Sequence, residues 1–473
     1  VSLAHVLLGQ PMQRRFEENQ EFRATLLLLQ ERVPRLPVIF PHPADTESVR
    51  DAGQTPEPNV RVFSTPNTHA PQVQLLSNGT YHVMVTNAGG GYSRFGELAV
   101  TRWQEDSTCD PWGSFCYLRD LGGGAIWSAA HQPTLAPATT YEAIFSQGRA
   151  EFRRRDGDID THVEISVSPE DDVELRRVSV TNFGQRTRAI ELTSYAEVVL
   201  TSHAADLAHP AFSNLFVQTE ILREAGAILC TRRPRSSTEN PPYMFHLMTV
   251  QGVTCGPTSF DSARETFLGR GRTPLDPQAM HRSELSGSEG PVLDPIVAIR
   301  NAVTLSPDEV ARVHIVTGVA ATRELALALI DKYRDRHAAE RVFELAWTHS
   351  QVDLRRLEAT EADTQLYERL ASHLLYANAG LRAPRSVIAH NQRDQSGLWA
   401  YAISGDLPIM LIRIADRQHI PIVRQLLQAH AYFRLKGLKA DLVIWNEDPS
   451  GYRQVLQEDI LGATIRSPKK TRY

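Results

Sequence analysis

From Val73 to Val319 the chain repeats one signal, short apolar–polar alternations separated by turn residues. THVEISVS sets Val163, Ile165 and Val167 on one side of an extended run; VELRRVSV, RAIELTSYAEVVL and ARVHIVTGV continue at roughly regular intervals. A period of two belongs to a strand with one buried face. The intervening RRDGD, SPEDD and NFGQR carry the Gly, Pro, Asn and Asp that close turns. Strand follows strand with few helical patterns between, which predicts a large antiparallel sandwich rather than a βαβ sheet. Arg233 to Pro242 is a polar, proline-rich loop, and Thr266 to Gly290 is long and irregular. Loops of that length are usually functional or mobile.

The flanks have other periods. FRATLLLLQERV spaces Phe22, Leu26, Leu29 and Val33 helically, so residues 1–33 are expected to be helices and the Pro- and acid-rich residues 34–67 a linker. The sandwich then takes 68–320. Residues 321–385 read as helices with charged outer faces, an amphipathic linker bundle. In 386–462, PIMLIRI, IPIVRQLLQAHAYFRLKG and ADLVIWNED give a strand, a helix and a second, parallel strand. SGYRQVLQEDILG starts a further helix with Ser450 as its cap, and 463–473 reads as a disordered tail. The fold class is therefore multidomain α+β: an antiparallel β-supersandwich, linker helices and a small α/β unit.

The 473 residues exceed one ordinary core, which is why several parts are expected. A formal net charge of −5 argues against a nucleic-acid partner, which calls for a basic stripe. The sequence has no apolar run of about 18 residues to span a membrane as a helix. The four cysteines, Cys109, Cys116, Cys230 and Cys255, form no CxxC pair and read as reduced thiols of a cytoplasmic protein.

Chemistry-bearing residues concentrate between Asn87 and Ser128, around the glycine triplets Gly89–Gly91 and Gly122–Gly124. Three of the six tryptophans lie there, Trp103, Trp112 and Trp127, with Tyr92, Arg94, Tyr117, Arg119 and Asp120. Flat rings beside Arg and Asp suit a sugar face and its hydroxyls; they suit a packed sandwich edge equally well. The glycines lack the spacing and following helix of a phosphate loop and read as hairpin turns. An acid for glycosidic chemistry needs a buried carboxyl. Asp120, Asp406, Asp441, Glu447 and Asp448 are candidates, each with an ordinary turn or strand-end explanation. The 17 histidines include no HExxH or HxxxH pair, so no metal is expected. Arg453 and Gln457 share a helix face, where Arg453 could hold sugar hydroxyls or phosphate; with a nearby carboxylate such as Asp448 or Asp459 it is the alternative expectation, a residual glycoside phosphorylase.

GGGYSRFGELAVTRWQED, DPWGSFCYLRD and IWSAAHQPT resemble the β-sandwich module of the cyclic β-1,2-glucan synthase family. They are similar also to the amino-terminal sandwich of the cellobiose and chitobiose phosphorylases. YAISGDLPIMLIRI, ADLVIWNED and GYRQVLQ resemble the segment that follows it in the glucan synthases, and VSLAHVLLGQPMQRRF with LLLQERVPR the end of the glucoamylase-like domain before it. The resemblance implies an inner-membrane enzyme that uses UDP-glucose, closes glucan rings and trims chains with phosphate as co-substrate, this region lying on the cytoplasmic side. β-Glucan oligosaccharide and the remaining synthase domains are the implied partners. The catalytic face of the glucoamylase-like domain and the barrel with the phosphorylase acid would lie outside this chain, so carbohydrate binding without turnover is expected. GYRQVLQED departs from the barrel's YRDxLQD motif, with Gln454 where that motif has Asp.

Overall fold

The computed structural model describes residues 60–466, apart from 235, 237, 238 and 449–454. Two nine-stranded antiparallel sheets face each other. In spatial order the first runs β1 (Arg61–Phe63), β8 (Thr140–Ser146), β9 (Arg149–Asp156), β10 (Ile159–Val167), β11 (Val173–Asn182), β18 (Val310–Ala320), β15 (Tyr243–Gln251), β14 (Ala227–Arg232), β13 (Val217–Leu222). The second runs β16 (Ser259–Ala263), β17 (Pro295–Leu305), β12 (Arg188–Ser202), β5 (Leu98–Thr101), β4 (Gly91–Phe95), β3 (Tyr81–Thr86), β2 (Val73–Ser77). β6 (Ser114–Asp120) pairs with residues 190–196 of β12 and also with β7 (Ile126–Ser128), while β5 takes residues 198–202. Within the β12–β5 pairing the register shifts between Val198 and Thr201, where Leu200 adopts a left-handed φ of 53°.

The alternation works as the sequence reading requires. Val163, Ile165 and Val167 point into the core between the sheets, where they meet Leu118, Trp127, Phe152, Val178 and Val198. The antiparallel supersandwich is the observed fold.

The outer faces are covered too, which the alternation does not announce. Short helices α1 (His203–Ala208) and α2 (Pro210–Asn214) join β12 to β13, and α3 (Arg264–Leu268) follows β16. α4 (Arg323–Arg334) and α5 (Arg336–Leu357) bury Ile330, Tyr333, Val342 and Phe343 against the outer side of β11, β14, β15 and β18. α6 (Glu361–Leu375) is closed by a capping box between Thr360 and Asp363. It lays Tyr367, Ala371 and Leu375 on β2, β3 and β4. The helices expected to form a linker bundle are thus a packed layer on the sandwich. Their apolar stripes find large sheet faces, and fully burying each Phe-sized side chain there stabilises by about 1.5–3 kcal/mol.

After α7 (Arg385–Ala389), β19 (Ile409–Ile414), α8 (Ile420–Leu435) and β20 (Asp441–Asn446) form the strand–helix–strand unit, with Ile409 opposite Asp441 in parallel pairing. α9 (Val455–Arg466) packs Leu456 and Ile460 with Ile414 and Val423. It continues through 463–466, which are helix rather than tail. Likewise the end of the expected linker is strand: β1 pairs with β8, and the buried Arg61 side chain ties it to β2 and α6 by donating to Gln74, the Val73 carbonyl and Gln365. The helices read over Val1 to Val33, the Ser450 cap and the last residues of the tail lie outside the described residues. The four cysteines are unpaired, Cys116 and Cys230 buried, Cys109 and Cys255 exposed.

Candidate functional site

The structure distributes the aromatic candidates among separate cores. Tyr92 and Trp103, edge to face with centroids 5.5 Å apart, are buried under α6 and α8. Arg94 lies over the Tyr92 ring at 4.1 Å. Trp127 is buried between the sheets. Tyr117 is buried beneath Phe267 and Met280, and its hydroxyl donates to the Pro274 carbonyl at 2.7 Å. Arg119 pairs with Glu191 at 2.5 Å and donates to the Met280 carbonyl at 2.6 Å. Asp120 accepts from the Gly122 and Gly123 amides and pairs with Arg188 at 2.5 Å, so it holds its own turn. Packing, the second of the two readings open in the sequence, accounts for these residues. Arg453 lies outside the described residues; Asp459 is paired with Arg417, and Glu447 with Arg413 at 2.6 Å.

Trp112 differs. Half-buried, it lines an open cleft of about 230 Å³ with Pro111, Phe115, Tyr195, Thr273 and Pro274, and with Arg102, Glu197 and Arg264. The floor is an ion network. Arg102, just past β5, donates to Glu197 of β12 at 2.7 Å, to Asp206 of α1 at 3.2 Å and to Asn214 of α2 at 2.6 Å. Glu197 also accepts from Arg264 of α3 at 2.8 Å and from the Tyr195 hydroxyl at 2.9 Å. Asp294 meets Arg102 at 3.4 Å and Arg264 at 3.3 Å. Burial alone would lower the Arg102 guanidinium, but Glu197 and Asp206 outweigh it and hold it above its ordinary value. Breaking such a buried set by removing one partner costs about 3–5 kcal/mol, because the others are left uncompensated. The Arg264 side chain remains 32% exposed. Two of its donors are engaged by Glu197 and Asp294, of the five a guanidinium carries.

The wall holding Thr273 and Pro274 belongs to the long irregular segment. It is a packed flap: Phe267, Leu268, Met280 and Leu285 close over Phe115, Tyr117 and Tyr195.

Among the described residues one His/Glu group has metal-ligand proximity, Glu151, His162 and Glu164. Its carboxylates already face guanidiniums, Arg149 at 2.9 Å and Arg177 at 2.6 Å from Glu164, and Arg153 at 3.6 Å from Glu151. Burial raises Glu151, yet its His162 hydrogen bond and the charges of His162, Arg149 and Arg153 bring it below its ordinary value. The group is an ion-pair patch whose cation places are taken by arginine.

Comparison with known proteins matches residues 56–336 to the supersandwich domain of glycosyl hydrolase 94. The chain belongs to that family. This glycosyl hydrolase 94 supersandwich chain is 37% identical over 461 residues to the cyclic beta-(1,2)-glucan synthase NdvB of Rhizobium meliloti, covering 97% of the chain and 16% of the synthase. It is 24% identical to the 3-O-beta-D-glucopyranosyl-beta-D-glucuronide phosphorylase of Paenibacillus borealis, over 56% of the chain and 32% of that enzyme. It is 23% identical to the N,N'-diacetylchitobiose phosphorylase of Vibrio proteolyticus, over 54% of the chain and 32% of that enzyme. The supersandwich chain thus spans a minor part of each relative's length. The resemblance to glucan synthases and phosphorylases read from the sequence blocks holds. Among the described residues no helix is long and apolar enough to cross a membrane.

Arg102, Glu197, Arg264, Asp206 and Asp294 were not singled out in the sequence. One signal was available: Glu197 interrupts the apolar run AEVVL, and a carboxylate inside a buried strand requires a partner.

Proposed function

We propose that this chain is the carbohydrate-binding supersandwich of a cyclic β-1,2-glucan synthase-type enzyme, and that it takes neutral glucan at the Trp112 cleft. The observation that carries the reading is a partly buried indole and a partly exposed guanidinium lining one open, mostly apolar cleft. The ring offers a face for a pyranose, and the Arg264 donors offer hydrogen bonds to hydroxyls. Ligand pockets usually measure about 300–1,000 Å³, so this cleft suits one sugar unit of a chain. The network sets two guanidiniums against three carboxylates, one negative charge in excess. That balance favours a hydroxylated ligand over phosphate. Both Glu197 oxygens are occupied by guanidinium or phenol donors, which makes it part of the scaffold; binding without turnover is the expected behaviour. In the whole enzyme the chain would lie beside the remaining catalytic domains, on the cytoplasmic side of the inner membrane.

Calorimetric titration with linear β-1,2-glucan, with and without phosphate, tests this. Saturable, phosphate-independent binding is expected, and Trp112→Ala should weaken it on the order of tenfold or more. Binding untouched by that substitution would refute the cleft, and glucose 1-phosphate release would refute the absence of turnover. A purely structural role between catalytic domains is the second reading, favoured by the burial of Tyr92, Trp103, Tyr117 and Trp127. A folded chain that binds no glucan would establish it.

A further inference from the structure

Trp112 reaches the cleft from the loop between β5 and β6, and that loop is tied down from outside the sandwich. We propose that Tyr376, just past α6, positions the Trp112 wall through Asp110, so that the helical layer sets the shape of the glucan site. The proposal rests on the cleft reading above.

The contacts form a short chain. Asp110 stands two residues before Trp112, buried, with a left-handed φ of 46°. One carboxylate oxygen accepts from the Thr86 hydroxyl and the other from the Tyr376 hydroxyl at 2.9 Å. The Trp112 carbonyl in turn accepts from the Gly91 amide at 2.7 Å. Space for the Asp110 carboxylate exists because Gly90 lacks a Cβ, which would stand 2.7 Å from Asp110 Oδ1. A second tie comes from the next residue of the same segment, where the Ala377 amide donates to Glu105 at 3.1 Å. Between these ties the loop folds on itself, the Thr108 and Cys109 amides donating to Asp106.

Tyr376 is itself fixed. Fully buried, it sits edge-on to Trp103 at 6.1 Å, and its amide closes the last turn of α6 on the Ser372 carbonyl at 2.9 Å. Trp112 packs against the same apolar cluster. A shift of α6 along the sheet would therefore move the Asp110 anchor and the indole two residues away. Trp112 would touch the sugar; Tyr376 and Asp110 are positioning residues.

The test is Tyr376→Phe in the full chain, which removes the hydroxyl and keeps the ring. Two quantities are read: the dissociation constant for linear β-1,2-glucan, and the Trp112 emission, obtained as the difference from Trp112→Phe in the same background. Roughly tenfold weaker binding and a shifted Trp112 emission are expected. Tyr333→Phe is the control. Its hydroxyl serves Ser168 and Asp171 under α4, so the variant should lose stability while keeping affinity and emission. Unchanged emission and affinity in Tyr376→Phe would overturn the proposal, as would equal changes in Tyr333→Phe. Should Tyr376→Phe fail to fold, Asp110→Asn takes its place with the same two readouts and the same deciding outcomes. If the unmodified chain binds no glucan, the cleft reading fails, and the emission alone decides the positioning.

Discussion

Gly89–Gly91 and Gly122–Gly124 are both triplets between strands of one sheet, yet they stand in opposite surroundings. The first is buried. A Cβ on Gly89 would fall 2.4 Å from Ala130 Cβ, one on Gly90 against Asp110, and one on Gly91 1.9 Å from the Met84 carbonyl oxygen. The second is exposed, and its backbone is held from within by Asp120. The same letters thus perform two tasks. In one triplet glycine lets other groups come close; in the other it supplies a backbone angle at a free hairpin tip.

The largest effect follows from the tightest approach. Gly91→Ala would place its methyl on the backbone of β3, at a φ of +150° that side chains rarely adopt. Nothing flexible can yield, because Met84 is hydrogen-bonded within the sheet. Denaturant unfolding should show a loss of ~4 kcal/mol, at the upper end for a point substitution. A loss under about 1 kcal/mol would mean that the first triplet is as free as the second.

Next comes pH. Burial pushes the Asp110 carboxyl up to about 7 from an ordinary 3.8, against the hydrogen bonds from Thr86 and Tyr376 and with Asp106 adding to the rise. With the folded value raised, the folded chain holds a proton that the unfolded chain releases. The contribution is full below about pH 4 and is lost as pH rises through about 7. The loss is on the order of 4 kcal/mol at most. Glu368 acts in a similar window: burial raises it to about 7 although Arg61 opposes. It ties α6 to the Leu75 amide and to Tyr432 of α8. Stability measured from pH 4 to pH 8 should therefore fall, and Asp110→Asn should remove part of the slope while Glu368→Gln removes another part. A slope unchanged by Asp110→Asn would detach that carboxyl from the first triplet's packing.

How far the sequence carries depends on which force sets each feature. Alternation in β10 and β11 and the helical period after Thr322 report burial directly, so the sandwich and α4, α5 and α6 were legible. A period of two gives only the side facing the core, however. Tyr117 and Leu118 point to opposite faces of β6, and both are buried, because the flap around Phe267 and Met280 covers the outer one. No local pattern announces a cover supplied from 150 residues away along the chain, as the Tyr117–Pro274 bond shows with its separation of 157. The aromatic stretch divides among separate cores for the same reason: proximity in sequence does not give a shared face. The cleft is likewise assembled from the β5–β6 loop, β6, β12, α3 and the flap, and the charges beneath it are legible singly but not as partners.

The smallest effects are expected at the second triplet, where they separate strain from crowding. Gly124 has a φ of +72° and open space within 4 Å of its virtual Cβ. Gly124→Ala therefore meets only the backbone preference, a loss of ~1 kcal/mol. Gly122 carries neither burden: its Cβ would rest 3.5 Å from Asp120 Oδ1, an ordinary contact. Gly122→Ala should stay within about 0.5 kcal/mol of the parent chain. Thermal unfolding of the two variants side by side makes the distinction, since both methyls enter solvent and only the angle differs. Equal losses would mean that the hairpin tip is held by contacts of its own, and the contrast between the triplets would then rest on the crowding of the first alone.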